Sequence, residues 1–318
     1  MLDTAGGWGY TGDMRPQLFE IPGLGWPVYA YPSLVAVGVA VAVFAAMRMA
    51  RRRGIDPVLA LDLGLIGLVS ALFGGHLFYY AEFYHKHFAE RPWYAALFFW
   101  EGGLVFYGAV LAAFGCGMAY VAWWNRRARM AGRPAVPMLR MVDIGAAAVP
   151  VGLVFGRLGC LLNGCCWGRV CELGPPLAVR FPAGSLAWQR QLEQGQIGEQ
   201  AAHSLPVYAT QLYEAGFAAV LALVLWRYWR RRPRDGRVVA ACMALYGGWR
   251  LFVEQLRSHD AQAEMTRLLG SVALTWSQVV SLGMIVSGAM MWLVAGWLAP
   301  RPELHGAQQG CPSGGGFA

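Results

Sequence analysis

The chain has 318 residues, 57% of them hydrophobic and only 14% charged. An average soluble domain carries roughly 25% charged residues, so a soluble enzyme, a disordered chain and a nucleic-acid module are all excluded as leading readings. The formal charge of +8 comes almost wholly from arginines in short clusters beside apolar runs, a pattern that reports orientation in a membrane rather than contact with nucleic acid.

In chain order, residues 1–25 show no basic stretch followed by an apolar core, so no cleavable signal is expected. A membrane-spanning helix needs about 20 mostly apolar residues. Seven runs meet this, at 33–49, 58–80, 104–124, 142–162, 208–228, 238–255 and 276–298. Each contains glycine or other small residues, which let membrane helices approach closely. The expected fold class is therefore all-α integral membrane, with seven transmembrane helices. The polar stretch 169–206 is expected to form a small extracytoplasmic loop domain. Residues 1–28 form an N-terminal segment outside the membrane domain of 29–298, and 299–318 read as a disordered cytoplasmic tail rich in Gly, Pro and Gln.

Arginines sort the loops into two kinds. Arg48 and Arg51–Arg53 follow the first run, Arg126–Arg140 the third, and Arg227–Arg237 the fifth, while the three intervening loops are near charge balance. The positive-inside rule then places the N-terminus outside and the C-terminus in the cytoplasm.

Ionisable residues inside a span are costly and mark functional sites. The sixth run carries Tyr246, Arg250, Glu254 and Arg257, whose spacings of 4, 4 and 3 put them on one helical face. The bland reading of this face is a helix–helix ion pair between Arg250 and Glu254. At about 1.5 Å per residue, Arg250 lies roughly 18 Å from the cytoplasmic edge and Glu214 about 9 Å in from the outer edge. Arg157 ends the fourth run at the same level. Several guanidinium groups at one depth suit a lipid phosphate, because the planar fork of donors matches phosphate oxygens.

Next to Arg157 lies the run Gly156-Arg157-Leu158-Gly159-Cys160-Leu161-Leu162-Asn163-Gly164-Cys165-Cys166-Trp167-Gly168-Arg169. Its glycines predict a helix end opening into a tight loop. This run resembles the signature of the prolipoprotein diacylglyceryl transferase family, G-R-x-G-N-F-x-N-G-E-x-x-G. Further segments match that family in order: Tyr31; Gly74-Gly75-His76-Leu77-Phe78-Tyr79; Glu101-Gly102-Gly103-Leu104-Val105-Phe106-Tyr107-Gly108; Asp143; Pro206–Glu214; and Tyr246-Gly247-Gly248-Trp249-Arg250 with Glu254 and Arg257.

The resemblance implies transfer of diacylglycerol from phosphatidylglycerol to the lipobox cysteine of a prolipoprotein, in the bacterial cytoplasmic membrane. It implies as catalytic residues Arg157, Arg250, Glu254 and Tyr107. For phosphatidylglycerol binding it implies Arg157, Tyr31, Asn163, Gly168, Glu214, Tyr246 and Arg257. No cofactor, no metal and no nucleic acid are expected; the partners are phosphatidylglycerol, lipobox-containing prolipoproteins and the bilayer. The alternative is a diverged member that binds anionic phospholipid and uses its thiol-rich loop for redox chemistry or partner contact.

Four positions depart from the family pattern. Tyr107 stands where the family carries histidine, and tyrosine, with an ordinary pKa near 10, is a poor base at neutral pH. Cys160 replaces an asparagine, Cys165 a glutamate and His76 an arginine. The acceptor thiol's proton has three open destinations, Glu254, His76 and water. For Cys160, Cys165, Cys166 and Cys171 three readings stand: a disulfide, best between Cys165 or Cys166 and Cys171; zinc, although C-x4-C-C-x4-C is not a usual zinc spacing; or plain packing.

Overall fold

The computed structural model describes residues 17–23, 25–84, 94, 103–172, 177–257, 265–268 and 272–298. Glu101 and Gly102 of the third motif, the loop histidines His85, His87 and His259, and the 299–318 tail lie outside the described residues.

A hairpin of β1 (Gln17–Ile21) and β2 (Trp26–Tyr29) leads into α1 (Ala30–Arg52), followed by α2 (Pro57–Glu82), α3 (Phe106–Met130) and α4 (Met138–Leu162). Then come β3 (Ala178–Val179), the short α5 (Leu186–Glu193), β4 (Val207–Tyr208), α6 (Thr210–Arg230) and α7 (Arg237–Glu254). A second hairpin, β5 (Met265–Leu268) with β6 (Val272–Thr275), precedes α8 (Trp276–Leu298). The fold is helical as expected, and three two-stranded antiparallel sheets come in addition among the described residues.

Five helices, α1, α2, α3, α4 and α8, are long and apolar enough to cross a membrane. The two other long helices, α6 and α7, fall short of that standard for a physical reason. α6 carries Glu214, Arg227 and Arg230, and α7 packs Arg237, Arg250 and Glu254 into 18 residues. Of these side chains, Glu214, Arg250 and Glu254 build the site below, and the arginines Arg227, Arg230 and Arg237 stand at the other end of the same helices. The outer surfaces of the helices expose Leu65, Phe73, Leu111, Phe114, Val220 and Leu293, as lipid-facing helices do.

Helices pair as α1 with α4, α2 with α3, α4 with α6, and α7 with α8. Small residues set these contacts: a Cβ on Gly38 of α1 would sit 2.9 Å from the Gly152 carbonyl oxygen of α4. The main apolar core lies at the end of the bundle where the arginine-rich loops are. It joins Met49, Ile55, Leu59, Ile144, Leu221, Leu225, Trp229 and Val238. Asp143, buried on α4, closes that end by accepting hydrogen bonds from Gly236 N (2.8 Å) and Val239 N (2.9 Å) at the start of α7. It therefore caps a helix from a neighbouring one, satisfying donors that the helix itself leaves unpaired.

The segment between α4 and α6 has its own small core of Phe181, Ala187 and Val207, with Trp167 and Val179 packed against it. Ser204 Oγ accepts from Phe181 N at 2.9 Å, and Gln191 Oε1 from Leu205 N at 2.7 Å. These contacts hold the described part of the stretch together.

Candidate active site

Chain direction alternates through the bundle. The C-terminal turns of α4 and α7 and the N-terminal turns of α6 and α8 thus meet at the end opposite the main core. From α6, Glu214 sits only 1% exposed at the centre of three guanidinium groups. Arg157 Nη2 of α4 lies 2.6 Å from its Oε2. Arg257 Nη1 lies 3.3 Å, and Arg250 Nη1 3.8 Å, from its Oε1. Arg250 Nη2 also meets Glu254 Oε2 at 3.0 Å and donates to Ser277 Oγ at 3.2 Å. Glu254 Oε1 accepts from Thr275 Oγ1 at 3.2 Å.

The bland reading of Arg250–Glu254 as an ion pair is thus real but incomplete. Three arginines face two glutamates, which leaves one positive charge in excess. Arg157 Nε and Arg250 Nη1 are buried with no hydrogen-bond acceptor among the described residues. Buried donors without partners are costly, and a monoanionic phosphate diester would satisfy both the charge and the donors.

Of the other expected residues, Tyr31 and Tyr246 lie near Arg157. Tyr31, at the start of α1, packs on the open face of Gly159: a Cβ there would lie 3.1 Å from its ring and 3.3 Å from its Cα. Tyr31 is within electrostatic reach of Arg157, as is Tyr246 of α7. Asn163 forms the C-cap of α4, its N–H donating to the Gly159 carbonyl at 2.9 Å. Gly168 serves packing: a Cβ there would fall 2.5 Å from the Leu256 carbonyl oxygen and 2.6 Å from Tyr208 Cβ. Its backbone pairs with Arg257, and Arg169 N donates to Leu256 O at 2.9 Å, so the signature loop fixes the end of α7. Tyr107 stands half exposed in the first turn of α3, its ring against Phe106. His76 is buried on α2, with Nδ1 3.2 Å from the Gly103 carbonyl oxygen. Because a carbonyl only accepts, Nδ1 is the donor in this contact.

The cysteines group differently from their spacing. The sulfurs of Cys160, Cys165 and Cys166 all lie within 4.8 Å of one another. Cys171 is apart, buried, with its N–H donating to the Pro206 carbonyl at 2.9 Å. All six described cysteines are free thiols, so of the three readings the disulfide of Cys165 or Cys166 with Cys171 is not formed. The chain reverses at Gly164 (φ 64°) and Cys166 (φ 61°), which turns Cys171 away from the other three.

A family model described as prolipoprotein diacylglyceryl transferase matches residues 16–294. The chain belongs to this family. Among its relatives is the phosphatidylglycerol--prolipoprotein diacylglyceryl transferase of Xylella fastidiosa (strain 9a5c), 35% identical over 258 residues, covering 76% of this chain and 77% of the relative. The protein of the same name from Roseobacter denitrificans is 31% identical over 304 residues, 89% of this chain and 95% of the relative. That from Paracidovorax citrulli is 31% identical over 244 residues, covering 76% and 77%. The diacylglyceryl transferase resemblance seen in the sequence motifs is therefore shown over most of the chain.

Within the family site, sequence reasoning missed four supporting residues. Thr275 and Ser277 hold Glu254 and Arg250, and the string Thr275-Trp276-Ser277-Gln278 was a legible signal. Thr275 Oγ1 accepts from Gln278 N (3.2 Å) and Gln278 Oε1 from Thr275 N (3.0 Å), a reciprocal cap at the start of α8. Thr210 and Gln211 pin the cysteine loop, donating to the carbonyls of Cys166 (2.8 Å) and Cys165 (2.7 Å). Their signal was the helical face they share with Glu214.

Proposed function

We propose that this protein transfers the diacylglyceryl group of phosphatidylglycerol to the thiol of a lipobox cysteine in prolipoproteins. Family membership supports the activity, and the buried Arg157–Glu214–Arg250–Glu254–Arg257 network is the observation that ties it to these residues. Its relatives are named for the same activity, so a lipid binder without transfer is the less favoured reading.

In this reading Arg157 and Arg250 hold the lipid phosphate and Arg257 completes the positive field. Tyr31, Asn163 and Tyr246 border the space for the glycerol part. Glu214 and Glu254 act as positioning residues, fixing where the guanidinium groups stand. The acceptor sulfur attacks the glyceryl carbon that carries the phosphate. An S–C bond forms, the C–O bond breaks, and glycerol phosphate leaves with the electron pair. A diester carries one negative charge, whereas the departing monoester approaches two near neutral pH. Fixed guanidinium groups therefore stabilise the products of bond breaking more than the ground state, which is how preorganised charge accelerates a reaction. The test is purified protein with phosphatidylglycerol and a lipobox peptide. The peptide should gain the mass of diacylglyceryl. No gain, beside normal transfer by a reference enzyme in the same detergent, would overturn the reading.

The family and the apolar helices fit a multi-pass protein of a bacterial inner membrane. We propose seven spans, α6 and α7 included, with the site in the outer leaflet, the N-terminus outside and the C-terminus inside. The alternating arginine-rich loops support this. A reporter active only outside the cytoplasm should be on when fused after Gln200 and off after Arg234. The reverse result would refute both the topology and the leaflet.

A further inference from the structure

The transfer described above needs a thiolate, yet nothing in the arginine network makes one. Arginine does not accept a proton at neutral pH, and the two glutamates are engaged by arginines. Next to this network lies the thiol trio, which the lipid-binding reading leaves unused.

Cys160 ends α4, buried; Cys165 and Cys166 are half-buried on the loop beyond it. The loop is built from several sides. Cys165 N donates to the Cys160 carbonyl at 3.0 Å. Gln211 and Thr210, both fully buried, take the Cys165 and Cys166 carbonyls. The left-handed conformation of Cys166 is one that non-glycine residues rarely adopt. The loop's backbone is thereby fixed from the α6 side, and its three sulfurs converge within 4.8 Å. Around a zinc ion with Zn–S bonds of about 2.3 Å, tetrahedral thiolates stand about 3.8 Å apart. Closing the trio to that distance takes a shift of about 1 Å or less.

We propose that Cys160, Cys165 and Cys166 bind one Zn(II) as thiolates and leave its fourth position for the acceptor thiol of the prolipoprotein. Three protein ligands with one open position is the arrangement of catalytic rather than structural zinc. A thiol that coordinates the ion is deprotonated outright. The acceptor R–SH gives its proton to water and binds as RS–Zn. Its sulfur forms the S–C bond as the C–O bond to phosphate breaks, and the neutral thioether leaves the metal. No electrons are gained or lost, and no other co-reactant enters. The complex of Zn(II) with three thiolates carries one negative charge. With the acceptor thiolate bound the complex carries two, and the nearby Arg157 and Arg257, which both act electrostatically on Cys166, lower the cost of that charge without cancelling it.

The metal site stands on geometry alone, while its role rests on the transferase reading, and the experiment separates the two. Protein purified under reductant is analysed for zinc and by X-ray absorption. About one zinc per chain with a shell of three sulfurs near 2.3 Å is expected. The Cys160→Ser/Cys166→Ser variant should lose at least nine-tenths of it, while Cys171→Ser and Cys116→Ser keep it. Removing zinc with a chelator should lower turnover at least tenfold near neutral pH. It should also change the pH profile from flat to rising about tenfold per unit below the ordinary thiol pKa near 8.5. Zinc no higher than in the double variant would overturn the proposal. So would a disulfide among the three cysteines under reductant, or turnover and pH profile unmoved by zinc removal. If zinc-loaded protein binds the metal as expected but transfers nothing, the transferase reading fails and the metal site stands.

Discussion

Arg250→Ala is expected to lower kcat/KM for diacylglyceryl transfer by about thirtyfold or more. The Arg250 guanidinium bridges Glu254 at 3.0 Å, Ser277 at 3.2 Å and Glu214 at 3.8 Å, and still has Nη1 buried without an acceptor. It is only 18% exposed, so solvent does little to weaken its field. Deleting it takes the network from one excess positive charge to none and removes the Arg250 ion pair from buried Glu254. Losing one partner of a buried charge pair costs about 2–5 kcal/mol, and each 1.4 kcal/mol is a factor of ten. The loss should fall on kcat as well as KM, because the negative charge on phosphate grows as the C–O bond breaks. Arg250→Lys should recover little: an ammonium is a point charge that cannot hold Glu254, Ser277 and a phosphate in one plane. The measurement is mass detection of lipidated peptide over a range of phosphatidylglycerol contents in mixed micelles. An Arg250→Ala protein that folds and turns over within threefold of wild type would remove Arg250 from the phosphate site.

How much of this was legible in the sequence depends on the range over which each feature is encoded. Long apolar runs are local, so the helices were found with shifts of a few residues at their ends. The face Tyr246–Arg250–Glu254 was also local, because helical spacing alone aligns those side chains, and the structure joins Arg250 to Glu254; Arg257 does not continue that helical face, because α7 ends at Glu254 and Arg257 pairs with Gly168 beyond it. Glu214 was expected level with Arg157 and Arg250, but its sharing among Arg157 of α4, Arg250 of α7 and Arg257 just beyond α7 is a tertiary fact. Thr275 and Ser277 reach the site from beyond a hairpin, and no spacing on α7 points to them. The cysteines show the limit most sharply. An oxidising compartment makes a pairing with Cys171 one of three readings, yet two left-handed residues reverse the chain and assemble a different trio. A sequence pattern does not display a reversal made at a non-glycine residue such as Cys166. Gly168 was expected to touch lipid from its place in the signature. The structure shows that it also lets the signature loop cross the end of α7, since only a hydrogen fits there.

Glu214→Gln should be the most destabilising single change at the site, and its defect should be repaired by lipid phosphate. The substitution keeps volume and shape but removes the charge shared by Arg157, Arg250 and Arg257. At 1% exposure there is no water to take its place. Breaking a buried ion pair by removing one partner costs about 3–5 kcal/mol, because the remaining charge is left uncompensated. Here the excess positive charge rises from one to two among residues already held close together. The thermal midpoint in detergent should drop by several degrees, about 2–4 °C per kcal/mol for a chain of this size or less. A plain packing residue would show the same loss in every detergent. A charge-balancing one would not: micelles containing phosphatidylglycerol should recover more stability in Glu214→Gln than in wild type, since an anion binding the folded state stabilises it by mass action. Micelles with phosphatidylcholine, which brings no net charge, should recover none. Equal responses of the two proteins to phosphatidylglycerol would show that the three arginines do not share a phosphate, and the site would then have to be sought elsewhere in the bundle.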